Sequence, residues 1–304
     1  MKGKNLLSIA DLASGDVWRI INDAMEMKGR GTSSVLAGQT LALLFEKPSL
    51  RTRVSFDAAM HQLGGHTIYL SQSEVGLGSR ESISDVARTL TRYVNVIAAR
   101  TFSHATLESL AEHAAVPVIN ALSDREHPCQ ALADLLTIYE RKPKLQGLNL
   151  AYIGDGNNVA NSLLLASALV AMNFTIASPK GYEVTDEIVN LGRRLAPRNA
   201  QILLVERPEA AAEGADVVYT DVWTSMGQEA EQEQRRKDFR SYQVNAALMA
   251  QANPDAIAMH CLPAHRGEEI TSEVADGPQS VLFDQAENRL HAQKGLLAVL
   301  IAKK

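Results

Sequence analysis

The most constraining feature of the chain is an alternation. Short, wholly apolar runs are separated by longer segments whose apolar residues recur at helical spacing. Residues 41–45 (LALLF) offer no polar position to face solvent, so they read as a strand buried on both faces. In 54–63, Phe56, Met60 and Leu63 share a helical face, and Gly64-Gly65 closes the segment, as glycines do at helix ends. Further strands are expected at 66–70, 96–100 and 116–122, with helices across Ile83, Val86, Leu90 and Val94, at 106–113 and at 130–141. Residues 142–147 (KPKLQG) are polar and hold a Pro and a Gly, which makes them the best linker. The alternation then restarts, with strands at 148–153, 174–178, 201–205, 217–222, 257–261 and 281–283, helices at 159–172 and 185–195, and a final helix from about Asn288.

Repeated strand–helix units imply parallel sheets with helices on both faces. Two blocks predict an α/β protein of two doubly wound parallel-sheet domains with the active site in the cleft between them. A chain of 304 residues suits two domains. The first is expected at 1–141 and the second at 148–287, with the last helix, 288–304, packing back on the first.

Charge and cysteine usage narrow the partners. Thirty basic against thirty-five acidic side chains give a net charge of −5. That argues against nucleic acid but leaves room for a local cationic pocket. No apolar run approaches the roughly 18 residues of a membrane span. Asp11 and Asp16 interrupt any apolar secretion signal. The only cysteines, Cys129 and Cys261, lie outside any CxxC pair and fit a reducing cytoplasm. Between 223 and 244 the chain is polar and highly charged. That stretch reads either as a solvated surface helix or as a mobile flap.

Several motifs fall at expected strand ends. After 41–45 come Ser49, Leu50, Arg51, Thr52 and Arg53 at a helix start. Unpaired N–H groups, the helix dipole, two hydroxyls and two guanidinium forks suit an anion there; the plainer reading is an ordinary helix cap with solvated arginines. Arg100 ends a strand, and His127 and Gln130 open a helix, with Cys129 between them read as packing. Gly154-Asp155-Gly156-Asn157-Asn158 is half a dinucleotide fingerprint, but Val159 stands at the third glycine position and no acidic residue follows the next strand. The amides of Asn157, Asn158 and Asn161 suit a polar head such as an amino-acid carboxylate instead. Asp221 is placed to pair with an ammonium, Cys261 to contact ligand, and Arg289 to reach an anion. Along the chain no set of Cys, His and carboxylate has metal-ligand spacing, and no Ser lies in a nucleophile elbow.

Taken together, FEKPSLRTRVSF (45–56), HPCQ (127–130), GDGNN (154–158), DVWTSMGQE (221–229), HCLP (260–263) and QAENR (285–289) closely resemble the ornithine carbamoyltransferases. The resemblance covers nearly the whole chain. It implies transfer of the carbamoyl group of carbamoyl phosphate to the δ-amine of L-ornithine, giving L-citrulline and phosphate, within arginine metabolism and in the biosynthetic direction. Another carbamoyltransferase, acting on N-acylated ornithine, putrescine or aspartate, is the alternative. The resemblance also implies a cytoplasmic homotrimer or multiple of trimers, with no metal and no organic cofactor. By position, Ser49, Leu50 (through its backbone), Arg51 and Thr52 look like the phosphate site. Arg100, His127 and Gln130 look like the groups at the carbamoyl end, and Arg289 resembles an arginine that also reaches carbamoyl phosphate. Asn158, Asp221, Ser225 and Met226 look like the ornithine site, while Cys261 and Leu262 are similar to the pair that lines both substrates. The resemblance makes Cys261, Arg100 and His127 the catalytic groups. Two positions depart from it. Leu50 stands where many relatives carry Thr, and Gly76 stands where many donate a Gln to the neighbouring subunit's site, with Gln72 or Ser79 as replacements.

Overall fold

The computed structural model describes residues 1–225 and 227–302. Chain contacts divide it into two units: Met1–Leu136 with the C-terminal stretch from Glu287, and Thr137–Ala286.

In the first unit, β1 (Thr40–Phe45) is buried at every position but the first. It forms a sheet with β2 (His66–Ser71), β3 (Val96–Arg100) and β4 (Val118–Leu122), in the order β2-β1-β3-β4. All three pairings are parallel, so each strand needs a crossover back to its starting edge. α1 (Ser14–Arg30) precedes these strands, and α2 (Leu50–Gln62), α3 (Gln72–Val75), α4 (Ile83–Leu90), α5 (His104–His113) and the start of α6 (Pro128–Arg141) lie between or after them. Ala42, Leu44, Ile97 and Ala99 from the sheet and Val86, Leu107 and Leu110 from α4 and α5 form one core cluster. Each fully buried Leu or Ile there contributes roughly 1.5–3 kcal/mol.

The second unit carries β5 (Asn149–Ile153), β6 (Asn173–Ala177), β7 (Ile202–Val205), β8 (Val217–Thr220) and β9 (Ile257–His260). Their order is β7-β6-β5-β8-β9, again all parallel. α7 (Asn158–Leu169), α8 (Asp186–Leu195), α9 (Pro208–Ala212), α10 (Gln232–Asp238), α11 (Ala246–Met249), α12 (Ser272–Ala275) and the start of α13 (Leu282–Ile301) complete it. Both sheets are doubly wound, and each order reverses once: between β1 and β3 in the first unit, between β5 and β8 in the second. Ligands in such sheets bind outside the carboxyl ends of the strands at that reversal.

Two expectations are corrected and one helix is added. Residues 281–283 are not a strand: the helix begins at Leu282, six residues ahead of Asn288. Leu282, Gln285, Arg289, Ala292 and Leu296 are all buried at spacings of three and four, a helical face whose polar members hid it. The segment 142–147 is not a free linker. Lys142 is buried, its Nζ donates to the Asp255 carboxylate at 2.6 Å, and Leu145 is fully buried. Helix α1 was missed outright, although Val17, Ile20, Ile21 and Ala24 form its buried stripe and the Asp16 carboxylate accepts the Ala13 N–H at its start.

Candidate active site

The reversal in the first unit is where the anion motif sits. Phe45, last residue of β1, pairs in register with Arg100, last residue of β3. The chain then turns through 46–49 into α2. Ser49 caps that helix, its Oγ accepting the Thr52 N–H at 3.3 Å, which leaves the hydroxyl hydrogen for another acceptor. No acidic residue occupies the first turn, so nothing local offsets the positive helix end. Leu50 is largely exposed, and its backbone rather than its side chain is what the turn offers.

Buried donors meet beneath this turn. Arg289 is 2% exposed; its Nη2 donates to Thr52 Oγ1 at 3.1 Å and its Nη1 to Gln130 Oε1 at 2.6 Å. Gln130 in turn donates to Asp134 Oδ1 at 2.8 Å. One arginine therefore ties the starts of α2 and α6 together. His127 lies just before α6 and is buried. Burial, then the charges of Arg289, Arg100 and Arg51, hold its pKa well below the ordinary value. It is a neutral imidazole at pH 7, able to donate one hydrogen bond, and three guanidinium groups make its surroundings strongly attractive to an anion. Arg53 is not among them: its guanidinium lies over the Tyr69 ring, 3.8 Å from the centroid. Cys129 is packing, as its surroundings demand. It is buried, its thiol donates to the Asn120 carbonyl at 3.5 Å, and desolvation pushes its pKa up to about 12.

Gly76 ends α3 with φ 61. A Cβ added there would lie 2.6 Å from Cβ of Arg80, so no side chain replaces the missing Gln without moving Arg80. The two suggested substitutes are used inside their own loop, Gln72 Nε2 donating to the Leu77 carbonyl at 3.4 Å and Ser79 Oγ to the Gly76 carbonyl at 3.0 Å.

The reversal in the second unit gathers the amine-type groups. Asp221 follows β8 and is 6% exposed. Its Oδ1 accepts from the Cys261 thiol at 3.0 Å and its Oδ2 from Asn157 Nδ2 at 2.8 Å. Asn157 Oδ1 meanwhile caps α7 by accepting the Val159 and Ala160 N–H groups at 2.9 and 3.1 Å. A single amide thus fixes both a helix start and a carboxylate, a role the sequence reading did not assign; an Asn at an N-cap was the available signal. Asn158 opens α7, and the Ser225 N–H donates to Gln228 Oε1 at 3.0 Å. Met226 lies outside the described residues. The half-fingerprint has a structural use: a Cβ at Gly156 would lie 2.3 Å from the Val184 backbone nitrogen, so only glycine lets that strand exit pass.

His260, given no role by its sequence, shapes the Cys261 turn. It is fully buried; its Nε2 donates to Glu269 Oε1 at 3.0 Å and its Nδ1 accepts the Leu262 N–H at 2.9 Å. Leu262 takes a left-handed backbone, φ 57, uncommon for a branched side chain, and this hydrogen bond helps hold it. The fold also brings potential metal ligands together that spacing along the chain did not reveal. Ligand atoms of Asp221, His260 and Cys261 lie within 4.8 Å of one another, as do those of His265, Glu268 and Glu269. Both ring nitrogens of His260 are already engaged, and Arg236 donates to Glu268 at 2.5 Å, so the protein already occupies part of each set.

Residues 4–140 match the carbamoyl-P binding domain of the aspartate/ornithine carbamoyltransferases, and residues 146–300 match the Asp/Orn binding domain. An ornithine carbamoyltransferase of Anoxybacillus flavithermus is 52% identical over 306 residues, covering 99% of this chain and 98% of that protein. One of Pyrococcus furiosus named as anabolic is 48% identical over 307 residues, covering 99% and 97%. A solved ornithine carbamoyltransferase structure from Pyrococcus furiosus superposes with a TM-score of 0.95 at 49% identity, covering 98% of this chain and 97% of that one. The chain belongs to the aspartate/ornithine carbamoyltransferase family.

Proposed function

We propose that the chain transfers the carbamoyl group of carbamoyl phosphate to the δ-amine of L-ornithine, giving L-citrulline and phosphate. The observation that carries this reading is the buried Arg289 bridging Thr52 and Gln130 beside a neutral His127 ringed by arginines, a preformed anion site at a helix start. Ser49, Leu50 through its N–H, Arg51 and Thr52 take the phosphate. Arg100, His127 and Gln130 take the carbamoyl end, and Arg289 also reaches carbamoyl phosphate. Asn158, Asp221, Ser225 and Met226 take ornithine, with Cys261 and Leu262 against the reacting groups.

The chemistry follows from these roles. The δ-amine titrates near 10.4, so attack needs its minor neutral form. Asp221, oriented by Asn157 and Cys261, suits the α-ammonium. As the amine adds, negative charge grows on the carbamoyl oxygen. Arg100 and the neutral His127 are suited to meet it, at roughly 2.7–4 kcal/mol for one good donor. Holding two reactants in line is worth roughly 7–11 kcal/mol more. The C–O bond to phosphate then breaks, the attacking nitrogen gives its extra proton to the departing phosphate, and Arg51 and the α2 start receive the resulting dianion. Nothing in this sequence of steps requires a metal or an organic cofactor.

Biosynthetic use is supported by the anabolic name of a relative 48% identical. A cytoplasmic setting is supported by two free thiols; among the described residues no helix is long and apolar enough to cross a membrane. A homotrimer fits exposed apolar residues on α2 and the edge strand β2, namely Leu50, Val54 and Ile68, which suit burial against a second copy. The test is an assay of carbamoyl phosphate with ornithine, N-acetylornithine, putrescine or aspartate, detecting the ureido product. Citrulline from ornithine, well above the other products, is expected. Its absence overturns the reading.

A further inference from the structure

Arg235 stands on α10 in the most highly charged stretch of the chain, yet it is 6% exposed. Its Nη1 donates to Asp155 Oδ2 at 3.0 Å and to the Trp223 carbonyl at 3.0 Å, and its Nε donates to Glu231 Oε2 at 2.9 Å. Its guanidinium lies 4.9 Å from the centroid of the Tyr182 ring. Two of these acceptors belong to the two loops at the reversal of the second sheet. Asp155 follows β5 and stands two residues before Asn157, which caps α7 and donates to Asp221. Trp223 stands two residues after Asp221 and two before Ser225.

Burying a guanidinium and a carboxylate is costly, and apolar residues of similar volume often hold a fold as well. Apolar packing cannot fix two backbone exits at a set spacing through directional bonds. A planar fork can, because its donors are fixed relative to one another. The rest of the stretch is anchored around this point: Trp223 stacks on Phe239 at 6.0 Å, Phe239 meets Tyr182 at 4.8 Å and Tyr242 at 6.0 Å, and all but Tyr182 are buried.

We propose that Arg235 is a positioning residue for the amine substrate, its guanidinium setting the spacing between the 155–158 loop and the 221–225 loop. The inference rests on the reading that this unit takes ornithine. Arg235 touches no substrate and acts through Asp155 and the Trp223 carbonyl. Lysine supplies the charge without the fork, so Arg235→Lys keeps an ion to face Asp155 and loses the fixed geometry.

The test is steady-state kinetics of the full-length protein, together with acrylamide quenching of Trp223 in a Trp18→Phe background, which leaves Trp223 as the one tryptophan. Arg235→Lys is expected to raise KM for ornithine about tenfold or more, a change of about 1.4 kcal/mol. KM for carbamoyl phosphate is expected to stay within twofold, and Trp223 to become more readily quenched. Wild-type values of ornithine KM and of quenching overturn the proposal. So does a parallel loss in both KM values and kcat that tracks a lowered Tm, since that is a fold-holding role only. If the lysine variant does not fold, Asp155→Asn, which keeps an acceptor and removes the charge, reads the same quantities. Failure of the ornithine reading is distinguishable: the wild type then makes no citrulline, while the quenching series still decides whether Arg235 ties the two loops.

Discussion

Two thiols in this chain sit against oxygen acceptors and differ in what surrounds them. Cys129 donates to a backbone carbonyl from a buried position, and desolvation lifts its pKa to about 12. At pH 8 about one molecule in ten thousand carries that thiolate, and thiolate is the reactive form. Cys261 is half-buried and donates to Asp221. Alkylation of the folded protein with iodoacetamide at pH 8, read by intact mass, is therefore expected to modify one thiol, Cys261. Two modifications are expected only after denaturation. Rapid modification of Cys129 in the folded chain contradicts its packing assignment. A second residue-scale expectation concerns Arg51, half-buried in the first turn of α2 and one of the charges that depress His127. Arg51→Ala removes a donor from the proposed phosphate site, and kcat/KM is expected to fall roughly 10²–10³-fold. Circular dichroism and Tm are expected to stay near wild type, because Ala is a strong helix former and Arg51 is only half-buried. Near-normal turnover rules Arg51 out of the phosphate site.

At the scale of elements, the tether between α10 and the 155–158 loop has a pH dependence that can be worked out. Burial raises the Asp155 pKa from 3.8 to about 6, with Arg235 pulling it down and Asp221 and Glu231 adding to the rise. Above about 6 the carboxylate is charged and grips Arg235. As pH falls from about 6 to 3.8 the folded protein takes up a proton that the unfolded chain does not, so this group favours the fold in that window while its grip on Arg235 weakens. Ornithine KM is thus expected to rise below about pH 6 by more than the tenfold per pH unit set by amine protonation, with no fall in Tm from this group. Asp155→Asn is expected to remove the extra step, and its persistence in that variant assigns the step to another residue. The same element shows what was legible in sequence. The five-residue run 41–45 announced β1 because every position is apolar, and the hydroxyls and arginines of 49–53 announced the start of α2 because they follow such a strand. Arg235 gave no such signal. Among Glu231, Glu233, Arg236 and Lys237 it reads as one more solvated charge, and only the fold shows that Asp155, eighty residues away, waits for it. Helix α13 was misplaced for a related reason: Gln285 and Arg289 lie on its buried face, and a pattern search for apolar residues passes over them.

At the scale of the molecule, a chain of net charge −5 keeps three guanidinium groups around one neutral imidazole, and all of them belong to the first unit. The amine-type groups, Asp221, Asn157 and Cys261, all belong to the second. Each unit has its own parallel sheet and its own buried cluster, so the proposed division of ligand chemistry follows the division of the fold. A ligand stabilises the state it binds by about 2.7 kcal/mol at one hundred times its Kd, and local opening reports that gain where the contacts are made. Hydrogen exchange of the full-length protein with saturating inorganic phosphate is accordingly expected to slow amides at the start of α2 and around 127–130. Amides in 154–160 and 221–225 are expected to slow instead with norvaline, an ornithine analogue that lacks the δ-amine. High salt is expected to weaken the phosphate effect, since attraction to the arginine cluster is screened over roughly 10 Å at 0.1 M. Phosphate protection appearing first in 154–160 reverses the assignment of the two units, because the helix start there offers neutral amides and Asp221 repels an anion.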